Sequence, residues 1–224
     1  MHLLDTFFNA GILYSALPSL VRGFISTLLL GLLSIGIGLP AGLLVSVVRL
    51  YAPAPLRYLA IIYIDIFRAM PVLVLLILVY YALPFVGIRL SSWVSAVLTF
   101  SVVFAAYSAE VFRTGIESIH KGQFEAARSL GMPFLLTLRK VILPQAVRAV
   151  IPTITSYCVS MFKDTSLAST VALPELLKEA NDAQSLYANP SPLIGAAIVY
   201  VIFLWPMVRL VGVLERHAKT DKKR

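Results

Sequence analysis

Four stretches of this chain carry no charged residue: 23–48, 69–88, 90–109 and 183–208, of 26, 20, 20 and 26 residues. A helix needs about 20 consecutive apolar residues to cross the hydrocarbon core of a bilayer. Four such windows in 224 residues leave little chain for anything else, and the sequence reads as an all-α integral membrane protein. The composition agrees. Charged residues make up 13% and hydrophobic residues 59% of the chain, with a mean hydropathy of +0.87, whereas soluble domains carry about 25% charged residues. The lone cysteine, Cys158, cannot form an intrachain disulfide, and no Cys/His cluster of metal-binding spacing is present. Residues 1–21 hold no Lys or Arg, so the positive first region of a cleaved signal peptide is not expected.

The apolar pattern predicts five transmembrane helices, near 22–48, 59–85, 92–112, 147–171 and 193–213. The fourth is interrupted by Lys163-Asp164, and residues 149–162 alone are too short to span. Fourteen basic residues gather on one side: Arg49 and Arg57, then Arg113, Lys121, Arg128, Arg139, Lys140 and Arg148, then Arg209, Arg216, Lys219, Lys222, Lys223 and Arg224. The other side has Arg22, Arg89 and Lys178, while Arg68 and Lys163 lie within spans. The excess of Lys and Arg marks the cytoplasmic side, so the expected N-terminus is outside. In a soluble protein a net charge of +8 would suggest nucleic acid; here it follows topology, and no nucleic-acid partner is expected. The expected organisation is an extracytoplasmic segment 1–19, a five-helix domain 20–213 and a basic cytoplasmic tail 214–224. That tail reads as a topology anchor or as a patch for anionic lipid. In the first span, Gly31, Gly36, Gly38 and Gly42 leave room for neighbouring helices to come close.

Charges at bilayer depth cost several kcal/mol unless paired or wetted, which singles out Asp65, Arg68, Glu110, Lys163 and Asp164. Arg68 lies about 16 Å beyond Arg57 along a helix. Asp65 shares its face, so the two read either as path residues or as a self-neutralising pair. Pro71 should break or kink that helix and free carbonyls. In the fourth span Thr153, Ser156, Ser160 and Lys163 recur on one helix face, opposite Ile151, Ile154, Val159 and Phe162. Such a stripe either bonds to another helix or lines a watery cavity, and its ending in Lys163-Asp164 favours the cavity.

The loop between the third and fourth spans reads RTGIESIHKGQFEAARSLGMPFLLTLRKVILPQAVR over residues 113–148. Gly122 precedes a helical stretch, QFEAARSL, that includes Gln123 and Glu125, the glutamate complementing the helix dipole. Gly131 stands where a left-handed residue would end it. Pro133 fits the first turn of a second helix, and Pro144 should break that helix before the next span. The loop predicts a compact helix–turn–helix on the cytoplasmic side.

Here the sequence resembles the membrane-spanning permease subunits of ATP-binding-cassette importers, in the polar-amino-acid (histidine, glutamate, glutamine, arginine, opine) branch. Glu125-Ala126-Ala127, then Gly131, then nine residues and Val141-Ile142-Leu143-Pro144 match the family's loop signature, with Val141 in place of isoleucine. AYSAEVFR (106–113), KGQFEAARSLGM (121–132) and FKDTSL (162–167) match the branch's surroundings. RAMPVLVLL (68–76) resembles its proline motif but departs at Ala69, Met70 and Leu75, and Ser156 stands where many members carry asparagine. The resemblance implies a type I importer permease fold with five spans in a bacterial inner membrane. It makes 113–146 the coupling loop, with Gln123, Glu125, Ala126, Ala127, Gly131, Leu143 and Pro144 facing the ATPase. Arg68, Ser156, Ser160, Lys163 and Asp164, with Asp65 and Glu110, become candidates for the translocation path.

The chain has no G-x-x-x-x-G-K-[ST] phosphate loop, and no enzymatic chemistry or cofactor of its own is expected. The resemblance implies two separate cytoplasmic ATPase subunits that bind ATP and magnesium, a second permease subunit (this chain or a homologue) and an extracytoplasmic solute-binding protein. The substrate would be a polar amino acid: glutamate or aspartate, glutamine, or a basic amino acid. A different class remains open on the residues alone: a small oligomeric secondary transporter or channel using Asp65, Glu110 and Asp164 as ion sites.

Overall fold

The computed structural model describes residues 6–221, with side chains through residue 216. The first five residues of the expected 1–19 segment lie outside the described residues. So do residues 222–224 and the side chains of 217–221 in the basic tail. Among the described residues every regular element is helical. They are α1 (Ala10–Tyr51), α2 (Ala54–Ala69), α3 (Val72–Ile77), α4 (Ser92–Glu117), α5 (Lys121–Ser129), α6 (Phe134–Thr137), α7 (Leu143–Asp164), α8 (Leu176–Tyr187) and α9 (Ser191–Asp221).

Three of these are long and apolar enough to cross a bilayer: α1, α4 and the Ser191–Arg216 part of α9. The pair Ala54–Ala69 and Val72–Val86, bent by 102°, is apolar enough to be either a broken fourth span or a re-entrant loop. Its break falls at Pro71, which caps α3 with φ −59° and ψ 130°. Proline has no N–H to continue the helical ladder. The expected fourth span, 147–171, corresponds to α7 followed by a 3-10 segment, Thr165–Val171, and is not among the helices that qualify. Arg148, Lys163, Asp164 and the hydroxyl row dilute its apolar character. The first span also starts earlier than expected, since α1 begins at Ala10 within the segment assigned to 1–19.

Pro144 does not act as expected. Helix α6 passes through a wide π-turn, Leu138–Ile142, straight into α7, and Pro144 is the second residue of α7. The N–H of Leu143 donates to the carbonyl of Leu138, five residues back. Widening the turn just before the proline makes room for its ring, which would otherwise press on the carbonyl four residues earlier.

The chain forms two compact units. One comprises Met1–Gly36, Met70–Ser101 and Cys158–Arg209. Its core sets Leu176, Ala180 and Ala183 of α8 against Ala16 and Leu20 of α1 and Ala196 of α9. The spacing of 176, 180 and 183 is one face of a helix, so α8 lies on the spans by its apolar side. The ring of Phe162 would stand 2.4 Å from a Cβ at Gly31. The other unit comprises Ile37–Ala69, Val102–Tyr157 and Leu210–Arg224. There Leu39, Leu43, Val111, Phe112 and Val150 form one cluster, and Ile116, Leu138, Ile142 and Ala146 another. A Cβ at Gly42 would meet the Ser108 hydroxyl at 2.0 Å, so α1 and α4 touch there backbone to side chain. Gly36 has open space beside it, and its absent side chain serves no close approach.

Candidate functional site

Helix α5 starts at Lys121, capped by His120, whose Nδ1 accepts from the N–H of Gly122 at 3.1 Å. Gly122 is therefore inside the helix, and Glu125 sits at mid-helix rather than in the first turn, outside the region where the dipole would favour it. The C-terminus is a paired closure: the N–H of Met132 donates to Ala127 O at 3.1 Å, and that of Gly131 to Arg128 O at 2.9 Å. Gly131 has φ +71° with nothing within 4 Å of a would-be Cβ. The glycine is needed for backbone conformation and not for space. Pro133 caps α6 with an extended ψ of 153°, one residue before the first turn assigned to it.

The helix faces two ways. Ala127 is buried, while Gln123, Glu125 and Ala126 are exposed. Phe124 packs under α5 beside Leu138, Ile142 and half-buried Leu143. Beside it runs a groove of about 410 Å³, lined by Glu125, Arg128, Met132, Pro133, Phe134 and their neighbours. Gln145 ties the helix to the start of α7: its amide donates to Val141 O at 2.7 Å and to Gln123 Oε1 at 3.4 Å. Pro144 is exposed on the same stretch.

Glu110 is the centre of a charge network. Its Oε2 takes Arg49 Nη1 at 2.6 Å and its Oε1 takes Arg113 Nη2 at 2.6 Å, with Arg68 at 3.9 Å. Arg113 also bridges to Glu117. The Arg68 guanidinium lies 5.7 Å from the Tyr107 ring centroid, and the Tyr107 hydroxyl donates to Arg68 O at 3.3 Å, taking up a carbonyl near the Pro71 break. Arg68 thus pairs with Glu110 and not with Asp65, which is exposed on α2. By sequence alone Arg49 and Arg113 are topology charges, and only the fold brings them onto Glu110. The Glu110–Arg113 spacing of three and the Arg113–Glu117 spacing of four were the available signals.

On α7, Thr153, Ser156, Ser160 and Lys163 are all exposed, and Val159 and Phe162 are buried behind them. The four therefore share one exposed face of α7. Ile151, assigned to the apolar side, is exposed as well. Asp164 is half-buried; it hands the chain from α7 to the 3-10 segment.

A further buried carboxylate was not among the expected residues. Glu175 is the N-cap of α8 and fully buried. It accepts from the N–H groups of Leu177 at 2.8 Å and Lys178 at 2.7 Å, and from the Tyr200 hydroxyl at 3.3 Å. Burial pushes its pKa up to about 7, against the lowering effect of those hydrogen bonds.

These features can be set beside known proteins. A family model described as "Binding-protein-dependent transport system inner membrane component" matches residues 35–220. This chain belongs to that family. This inner membrane component is 38% identical over 173 residues to the probable amino-acid ABC transporter permease YckA of Bacillus subtilis, covering 77% of this chain and 76% of that protein. It is 36% identical over 201 residues to the L-cystine transport system permease TcyB of the same organism, covering 89% and 86%. The crystal structure of an amino acid ABC transporter with histidines matches it with a TM-score of 0.84 at 31% identity, over 94% of this chain and 98% of that one. Inward-facing MetNI, a methionine ABC transporter, shares the fold at 21% identity with a TM-score of 0.69. Membership makes this chain a membrane component of a transport system that depends on a binding protein, as its loop sequence implied.

Proposed function

We propose that this chain is the transmembrane subunit of an ATP-driven importer that carries a polar amino acid across a bacterial inner membrane. Two such subunits, identical or homologous, would work with two cytoplasmic ATPase subunits and an extracytoplasmic solute-binding protein. ATP and magnesium would bind in the ATPases. Similar proteins named for cystine, glutamine and arginine support the substrate class without selecting a member. The binding protein, a separate chain, does most of the selecting.

The observation that carries this reading is the α5 turn. Force passes from an ATPase to a helix bundle only through a stiff contact, since a floppy loop would absorb the motion. Exposed Ala126 permits close approach, exposed Glu125 offers a carboxylate to a basic partner, and the left-handed Gly131 fixes where α6 departs. Leu143 and Pro144 then carry the motion through the π-turn into α7. The exposed row Ser156, Ser160 and Lys163, with Asp164 at its end, fits a watery path; Arg68 and Asp65 are further candidates. Glu110 is already engaged by two arginines, which suits a structural tie better than the free ion site a secondary transporter would need.

Two substitutions test this. Gly131→Val places a branched residue at positive φ and costs about 1 kcal/mol or more of local strain; Ala126→Asp puts a charge on the contact face. Both should insert normally in the membrane, release the ATPase on purification and abolish uptake. If both variants retain the ATPase and its substrate-stimulated hydrolysis, α5 is not the coupling element.

A further inference from the structure

Between α7 and α9 the chain forms an unusually constrained hinge region. Thr165, Glu175 and Thr27 are fully buried together with the half-buried Tyr200. Leu176 N–H donates to the Thr27 hydroxyl at 3.1 Å, and the Tyr200 hydroxyl, which donates to Glu175, lies within hydrogen-bonding reach of Thr27 and Thr165. One polar knot therefore joins four pieces: α1, the first residue of the 3-10 segment, the root of α8, and α9. Two non-glycine residues have positive φ among the described residues, Ala172 at 55° and Ala188 at 47°. They close the 3-10 segment and α8. Strained backbone persists only where its surroundings over-determine it. The far end of α8 is pinned too: Asn189 Oδ1 accepts from Ser191 N–H at 2.9 Å, and the Ser191 hydroxyl accepts from Asn9 N–H at 3.0 Å.

The outward side of α8 is unlike its root. Leu186 is 76% exposed, and a groove of about 310 Å³ beside it is lined by Ser15, Arg22, Glu179, Asp182 and Tyr187, among others. Charges of both signs around an exposed leucine and tyrosine suit a folded protein with a polar rim. An anionic lipid surface would need a basic cluster, whereas here Asp182 pairs with Lys178 and Arg22 shares the groove with Glu179. The family is defined by dependence on a binding protein, which supplies such a partner on the side assigned to α8.

We propose that α8 is a lever on which the extracytoplasmic binding protein bears, and that the Glu175–Tyr200–Thr165 knot at its root transmits the load to the Lys163–Asp164 turn. Glu175 is a positioning residue in this scheme: it touches neither substrate nor ATP. Thr165 adjoins Asp164 directly, so a shift of α8 about its root turns the two charged residues that end the α7 row. The inference rests on the importer reading above.

The test uses the complete complex with its ATPases in proteoliposomes, titrated with the binding protein loaded with L-glutamine, L-arginine or L-cystine. Glu175→Gln and Tyr200→Phe should lower the maximal stimulated-to-basal hydrolysis ratio by about fivefold or more, the usual size of a coupling effect. The half-saturating concentration of binding protein should stay put. Leu186→Asp should do the reverse, raising the half-saturating concentration with the maximum intact. Full stimulation in Glu175→Gln and Tyr200→Phe would overturn the lever, as would a loss of stimulation that merely tracks loss of assembled complex. If the unaltered complex ignores every loaded binding protein, the importer reading fails instead.

Discussion

The two units each place a carboxylate where several helices meet, and they treat it in opposite ways. Glu110 is surrounded by Arg49, Arg113 and Arg68, so its charge is matched by cations. Glu175 has no cation within bonding distance among its described partners, only backbone N–H groups and a phenol, and it titrates near 7. The wider charge follows the same division. Among the described side chains, the unit around Glu110 holds 10 basic and 5 acidic residues, and the unit around Glu175 holds 5 basic and 4 acidic. A basic region can spare arginines for a buried acid. A nearly neutral one must hold its acid with dipoles, which solvate a charge less completely and leave it open to protonation.

The sharpest break of this comparison concerns sidedness, and its outcome is all-or-none. If the basic unit is cytoplasmic, a reporter fused after Arg224 should be cytoplasmic and one inserted near Asn189 should be outside. The opposite result at either site would overturn both the orientation and the five-span model.

Next is the pH dependence of the nearly neutral unit. The folded pKa of Glu175, about 7, lies above its ordinary 4.5. Between those values the folded protein holds a proton that the unfolded chain has released, so stability must fall as pH rises through that window. The full swing is about 3 kcal/mol, complete above pH 7. Tyr200 and Glu179 are the other titratable groups beside it. Thermal unfolding in detergent should show the decline in the unaltered protein and its loss in Glu175→Gln. An unchanged decline in the variant would assign it to other groups.

The smallest effect is expected in the basic unit. Glu110→Ala leaves Arg49 and Arg113 facing each other without their shared anion. Because these side chains remain about a fifth exposed, water softens the loss to about 2 kcal/mol, below that of a fully buried pair. An Arg49→Met/Glu110→Leu double variant should recover much of it. A single variant as stable as the parent would show that the network does not hold the unit together.

Element type and the helix–turn–helix of residues 121–137 were legible because both are written in local terms. Charge-free windows of span length mark α1, α4 and α9, and Gly131 was assigned its left-handed turn from position alone. The row Thr153–Ser156–Ser160–Lys163 was equally local, a matter of helical period. The errors fell at neighbours that the sequence does not name. Pro144 reads as a helix breaker because its clash is local, yet a π-turn ending two residues earlier absorbs it. Arg68 was offered Asp65 by spacing, whereas the fold brought Glu110, forty-two positions away, within reach. Nothing in the sequence singles out Glu175; only packing against α1 and α9 removed its water. Periodicity and chain stiffness determine which segments become helices, because those are properties of neighbours in sequence. Which charges meet, and which are stripped of solvent, is a property of neighbours in space, and the tertiary structure alone decided it.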